Sequence, residues 1–503
     1  MLNVPASIWM IILPLVSAPL VYLMGHKGGG QYSDDRPASA SRWGALFALL
    51  ATVYVFFLTV HACSEAHVTE YMIGMVALRT DGLSLLMSAL VLMLSIMVML
   101  FSGPYLRDED GQEKFYAALV AMTGAIIGLA STADLFNLWI WFEAMAISSY
   151  MLVTFHKNEP LALEAGVKYL VQSSTGSAMV LLGIALVLGV TGSMDLAVIA
   201  SRAVSSPDLL VAGALFLIGF GVKAALVPMH TWLPDAHSQA PSGISAMLSG
   251  VVIEAGLVAM LRALAALTGT SASWGILLMV FGAVNMLLGN LMALRQKQVK
   301  RMLAFSSLSH MGYILIGLGI AVYAGEIAGA RGAAFHVFNH GLMKGLAFLA
   351  AGSLLYAVHL ARDDHAPLLI DDLQGAAHRY PLPALALSVA LLALGGLPPL
   401  AGFMSKWQIF LAGFETGNVW IKGLILFAAV NSVVSLGYYV PLINKMYQQK
   451  MVETVMKGER VVDVMIVPLA LMSLAVIAIG IWPGVMNWLI GPAADALTRM
   501  FGF

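Results

Sequence analysis

Seven ionisable side chains stand inside stretches that are otherwise apolar: Lys168, Lys223, Arg262, Lys344 and Lys406, with the carboxylates Glu143 and Glu254. An ionisable group at the centre of a bilayer costs at least a few kcal/mol unless it meets a partner or water, so a series of alternating sign reads as a route for ions or protons. Glu143 lies mid-stretch among Phe136, Trp139, Trp141 and Phe142. A desolvated carboxyl beside a lysine has a proton affinity that its neighbour can switch. Lys223 precedes Pro228, which removes a backbone donor and clashes with the turn before it, so the helix should break shortly after the lysine. Lys406 follows Gly395, Gly396, Pro398 and Pro399, a second interruption beside a second lysine. In a bilayer such breaks persist only where they are buried or line a wet cavity.

His336, His340 and Lys344 recur at i, i+4 and i+8. That spacing aligns them on one helix face over about 12 Å. Imidazole titrates near neutral pH, so this row predicts a proton relay. His310, in Ser306-Ser307-Leu308-Ser309-His310, either extends the row or serves as a plain hydrogen-bonding group. His336 and His340 have a spacing open to metal, but no acidic or thiol residue stands beside them to complete a shell, and no metal is assigned.

These side chains need helices to hold them. The chain is 60% hydrophobic and 11% charged, with a mean hydropathy of +0.87, far from soluble globular composition. It reads as an all-α polytopic membrane protein with about fourteen apolar runs of spanning length. They fall near 6–24, 42–63, 82–103, 115–132, 134–155, 163–190, 208–227, 242–268, 273–294, 300–322, 331–358, 381–411, 418–444 and 462–488. The first run lacks a small-residue cleavage site and is expected to be a retained helix. If the helices alternate, one set of loops holds most of the remaining Lys and Arg, Lys27 and Lys300 among them. The opposite set holds only Arg79, Arg202, Arg331, Lys422 and Arg499. The positive-inside bias puts the first set in the cytoplasm and both termini on the outer face of a prokaryotic-type inner membrane.

Two broken helices about 170 residues apart, each with a lysine near the break, predict paired transporter repeats. The expected division is 1–114, with three helices; 115–268 and 269–447, with five helices each and therefore inverted; and 448–503, a loop and a last helix. The lone Cys63 excludes a disulfide within the chain and a thiolate-ligated cluster. No phosphate-cradling or dinucleotide fingerprint is present, and the Gly25–Gly30 run falls in a loop. Redox or nucleotide chemistry is therefore expected in other subunits, with no cofactor and no nucleic acid bound here.

The stretch from Lys223 to Gly250, centred on His230-Thr231-Trp232-Leu233-Pro234-Asp235-Ala236-His237, resembles the proton-translocating antiporter-like subunits. These are shared by respiratory complex I, membrane-bound hydrogenases and Mrp-type multisubunit sodium/proton antiporters. The likeness extends to Asp81 through Leu85, to Phe142-Glu143, to His336 through Lys344 and to Gly402 through Lys406. It implies a fourteen-helix core with a polar axis at mid-membrane, in which Glu143 pairs with Lys223, Lys344 bridges the halves and Lys406 ends the row. His230, His237 and Asp235 are candidate relay or access residues. Partners implied are other antiporter-like and small membrane subunits, with a peripheral redox arm.

One position departs from the pattern: Glu254 stands where the family usually has lysine. Glu254 is expected to pair with Lys223 or Lys344 in a modified proton relay, or to coordinate a cation such as Na⁺. The leading expectation is a proton-translocating subunit of a complex I-related respiratory or hydrogenase complex. The alternatives are the D-type component of an Mrp-type antiporter and a scaffold of static ion pairs.

Overall fold

A computed structural model describes residues 5–26, 36–66, 68–73, 76–107, 109–269, 273–362 and 366–503. Of the expected Gly25–Gly30 loop, Gly25 ends a helix and His26 caps it, while residues 27–30, Lys27 among them, lie outside the described residues. The chain is a multi-pass membrane protein. Among the described residues, twelve helices are long and apolar enough to cross a membrane. The two further runs expected from the sequence, 208–227 and 381–411, are each interrupted and supply no single helix of that length.

The first helices are α1 (Ala6–Gly25), α2 (Arg36–Ala66), α3 (Gly82–Tyr105), α4 (Gln112–Ala130) and α5 (Leu135–Val153). Asp81 caps α3 in a reciprocal box with Ser84, and Asp134 caps α5 through the Asn137 amide. Between α2 and α3 the strands β1 (Thr69–Ile73) and β2 (Val76–Thr80) pair antiparallel, a departure from the all-helical expectation outside the spans. Next come α6 (Pro160–Thr191), α7 (Leu196–Arg202), α8 (Pro207–Lys223) and the short α9 (Trp232–Gln239). Proline opens both α6 and α8, where its missing N–H costs nothing.

The centre of the bundle is built from α10 (Ser242–Met247), a π-helical turn (Leu248–Val252) and α11 (Ile253–Ala265), followed by α12 (Trp274–Ala293), α13 (Val299–Ala324) and α14 (Ile327–Arg362). The run Ser242–Ala265 is wholly buried, and α13 and α14 nearly so, which is why they carry polar residues without facing lipid. Helices α12 and α13 meet backbone to backbone. A Cβ on Gly275 would stand 2.8 Å from the Gly319 carbonyl oxygen, and one on Gly282 2.8 Å from that of Gly312. Small residues recurring at every second turn permit this approach.

The chain ends with α15 (Ala376–Arg379), α16 (Pro381–Gly395), α17 (Ala401–Glu415), α18 (Val419–Met446), α19 (Glu453–Lys457), α20 (Asp463–Ile481) and α21 (Asn487–Phe501). The last span stops at Ile481, short of the expected 488, because the chain turns at Trp482 and α21 folds back onto α3 and α14. A Cβ on Gly82 would run into the Pro492 carbonyl, so α21 rests directly on the start of α3.

Arg262 belongs to a static pair and not to the charge series. Its Nη1 and Nη2 donate to Asp81 Oδ2 and Oδ1 at 3.2 and 3.0 Å, and Nη2 also donates to the Ala130 carbonyl at 2.6 Å. The fork thereby ties α11 to the α3 cap and to the end of α4. Burial works against the Asp81 charge, but Arg262, the Ser84 amide and Arg79 outweigh it and hold the carboxyl below the usual carboxylate range. A depressed carboxyl contributes stability that is complete above its unfolded value, near pH 4, and is lost as pH falls through the folded value. Arg262→Met leaves the buried carboxylate with only Arg79, at 3.9 Å, as a cationic partner and should cost about 3 kcal/mol at pH 7. Thermal unfolding against pH should show that gap begin to narrow above pH 4, because burial raises the variant's Asp81 carboxyl once Arg262 is gone, and close in acid.

Candidate functional site

Helix α8 ends at Lys223, and the chain is unwound until α9 begins at Trp232. Pro228 stands in this gap. Ala225 takes a left-handed φ of 54°, a conformation that costs a non-glycine residue about 1–2 kcal/mol. Asn285 of α12 spans the gap: its Oδ1 accepts from the Val227 N–H at 2.8 Å and its Nδ2 donates to the Ala225 carbonyl at 3.1 Å. Trp232 Nε1 donates to the Val222 carbonyl at 2.8 Å from the other side.

Lys223 is fully buried. Its Nζ donates to Ser173 Oγ at 3.0 Å and stands 4.2 and 4.8 Å from the ring centres of Tyr169 and Tyr150. Such rings attract an ammonium through their quadrupole. Trp232 stacks on Tyr169 at 4.0 Å, fixing the ring that Lys223 faces. Glu143 forms no direct ion pair with Lys223 but acts on it electrostatically, and its Oε1 is buried without a partner. The implied pairing is thus a through-space interaction, because serine and aromatic rings occupy the ammonium's contacts.

Glu254 sits two residues past the π-helical turn. Neither Lys223 nor Lys344 is its partner. Its Oε1 lies 2.8 Å from His340 Nδ1, close enough to share one proton, and both side chains are fully buried. The imidazole of His340 stacks on that of His310 with centres 5.3 Å apart. His310 Nδ1 lies 3.1 Å from His336 Nε2, and His336 Nδ1 lies 2.8 Å from Ser405 Oγ. Glu254, His340, His310, His336 and Ser405 therefore form one continuous row across α11, α13, α14 and α17. Two residues past Glu254, a Cβ on Gly256 would lie 2.9 Å from Lys223 Cβ, so the α11 backbone runs against the lysine stem.

Lys344 lies one turn beyond His340; its Nζ donates to the Leu303 carbonyl at 2.7 Å and to Ser306 Oγ. Lys406 follows Ser405 directly. Its Nζ donates to the Leu394 carbonyl at 2.9 Å and to Ser432 Oγ at 2.9 Å, over the Tyr313 ring at 4.5 Å. The Leu394 carbonyl is free because α16 stops at Gly395, and Pro398 and Pro399 keep the chain unwound until Ala401. Gly396, with φ 81°, lies against Lys406 Nζ, where a Cβ would stand 3.4 Å away.

The remaining candidates lie off the row. His230, in the first gap, is buried with Nδ1 unpaired. His237 is fully buried with both ring nitrogens unpaired, stacked on Phe348 at 4.7 Å. Asp235 points outward: it pairs with Arg301 at 2.6 Å and with Lys168 at 3.1 Å, lining a cleft of about 190 Å³. Lys168, counted from the sequence among the membrane charges, has a side chain 47% exposed and pairs with Glu164 at 2.7 Å as well. Lys300, assigned to a loop from the sequence, is instead buried, with Nζ donating to the Ala240 carbonyl at 2.5 Å. It lies one residue inside α13, where a small shift of the boundary moves a lysine from loop to span. Sequence reasoning also passed over Ser173, Tyr169, Asn285 and Ser405, whose residue types carry no signal by themselves.

Residues 132–433 match the family described as NADH:quinone oxidoreductase/Mrp antiporter, transmembrane, and residues 70–116 match the complex I chain 5 N-terminus. The chain belongs to this antiporter family. Within it, F420H2 dehydrogenase subunit N of Methanosarcina mazei is 33% identical over 425 residues, covering 82% of this chain and 84% of that one. A chain of an archaeal respiratory membrane complex, the membrane-bound sulfane sulfur reductase, superposes with a TM-score of 0.86 at 28% identity, covering 98% of both. A chain of the Mrp complex from Dietzia sp. superposes with a TM-score of 0.84 at 22% identity over 98% of both, a likeness of fold alone.

The Glu254–His340 contact is testable apart from transport. In a double-mutant cycle with Glu254→Gln and His340→Gln, thermal unfolding of the purified chain should give a coupling of about 1–3 kcal/mol. A coupling near zero would mean that the two side chains share no proton.

Proposed function

We propose that this chain moves protons through its buried row as the ion-translocating subunit of a complex I-related respiratory or hydrogenase complex. One observation carries the reading: Glu254, His340, His310, His336 and Ser405 are joined through the bundle centre by three hydrogen-bond contacts and the stack of His340 on His310, with Lys406 next to Ser405 and the α11 backbone beyond Glu254 against the Lys223 stem. Burying so many titratable groups together is costly, and a static scaffold gains little from it. Proton release at one site alters the affinity of its neighbour, so sites this close titrate as a set. Lys344 stands beside the row as a charge that His340 senses.

Redox chemistry belongs to partner subunits in this reading. The F420H2 dehydrogenase relative and the archaeal respiratory neighbour are both named as parts of such assemblies, which supports hetero-oligomeric association here. The inverted halves at 115–268 and 269–447, and both termini on the outer face, form part of the same proposal. The D-type component of an Mrp-type sodium/proton antiporter is the second reading, favoured by fold likeness to the Dietzia complex.

Lys223→Met and Lys406→Met should each lower proton movement per assembled complex about a hundredfold, the scale set by losing one positioned proton carrier. The measurement is quenching of a pH-sensitive dye in inverted membrane vesicles, normalised to complex content. Full quenching in both variants would assign the lysines to static pairing.

A further inference from the structure

We infer that Asn285 is a positioning residue for Lys223, holding the unwound segment between α8 and α9 in the one conformation that keeps the ammonium over Tyr169. The inference rests on the proton-relay reading. Breaking a helix inside a membrane frees backbone groups that must find partners within the protein. Asn285 is fully buried and spends both ends of its amide on this segment, accepting from the Val227 N–H at 2.8 Å and donating to the Ala225 carbonyl at 3.1 Å.

The residue whose carbonyl it holds is the one with the disfavoured backbone. Ala225 keeps a φ of 54° although its Cβ opposes that conformation, and it lies two residues past Lys223. Releasing Asn285 leaves the positive φ of Ala225 held only by the α8 cap bonds, Leu226 N–H to the Gly221 carbonyl at 2.8 Å and Ala225 N–H to the Val222 carbonyl at 3.3 Å, against a steric preference for negative φ. Rotation to negative φ turns the end of α8 and carries the lysine away from Ser173 and the Tyr169 ring. Beside the second break a buried asparagine makes a lesser contact: Asn339 of α14 donates from Nδ2 to the Ala401 carbonyl at 2.9 Å, at the first residue of the helix that bears Lys406, and its Oδ1 has no partner.

The test uses the intact complex in native membranes, with Asn285→Leu, Lys223→Met and the double variant Asn285→Leu with Ala225→Gly. Three quantities are read: assembled complex, protons moved per electron, and the pH profile of that ratio. Asn285→Leu should assemble while the ratio falls about ten- to a hundredfold and its pH profile shifts, in keeping with what a displacement near 1 Å costs a proton carrier. Ala225→Gly removes the steric objection to positive φ and should restore at least half of the ratio. A wild-type ratio in Asn285→Leu, with Lys223→Met inactive, overturns the inference and leaves the relay standing. A loss that Ala225→Gly does not restore overturns it too. A wild-type ratio in Lys223→Met removes the relay and the inference together. If Asn285→Leu does not assemble, Asn285→Ala takes its place with the same readouts, and the same outcomes support or overturn the inference.

Discussion

Hydrocarbon offers no hydrogen bonds, and the arrangement of this chain follows from that constraint. Every charged group buried among the spans has to be met by the protein itself. The lysines meet it by taking backbone oxygens: Lys344 that of Leu303, Lys406 that of Leu394 and Lys300 that of Ala240. Two of these carbonyls sit where a helix has stopped, α16 for Leu394 and α9 for Ala240. A helix break inside the bilayer is therefore a ligand for an ammonium group as well as a turn in the chain. Lys223 lacks such a carbonyl and relies on Ser173 and a cage of aromatic rings.

The sign reversal at Glu254 gains its meaning from the same constraint. A lysine there would stand close to His340 with Lys344 a turn further along, two cations and an imidazole in one dry space. A glutamate instead gives His340 a partner. The middle of the row consequently places oxygen against nitrogen, Glu254 beside His340, whereas its flanks hold lysines. The two oxygens of Glu254 are unlike, since Oε1 meets His340 and Oε2 has no partner.

Much of the frame was legible in the sequence because lipid imposes it. Twenty-residue apolar runs gave the spans, and proline beside lysine marked 224–231 and 396–400 as breaks. The i, i+4, i+8 spacing placed His336, His340 and Lys344 on one face of α14. Pairings across helices were not legible. Glu254 and His340 are 86 residues apart, and nothing local distinguishes His340 from Lys223 or Lys344 as the glutamate's partner. Side-chain direction near helix ends was equally hidden: Lys300 and Arg301 are adjacent, yet one turns into the core and the other to Asp235. Lys168 read as buried because its helix is apolar, although a helix on the rim can point one side chain to a surface cleft. The fold-back of α21 escaped notice since its partner, the start of α3, lies at the far end of the chain.

Helices α12 and α13 touch through glycine and peptide atoms, with Met279, Met286 and Ile316 packed closely around the contact. The two therefore behave as a single beam. Asn285 grips the first lysine's gap from one edge of that beam, and His310 projects into the imidazole stack from the other. A tilt of a degree or two, imposed by a neighbouring subunit, would shift both at once, so the first half of the chain and the histidines would register the same push without any ion passing between them.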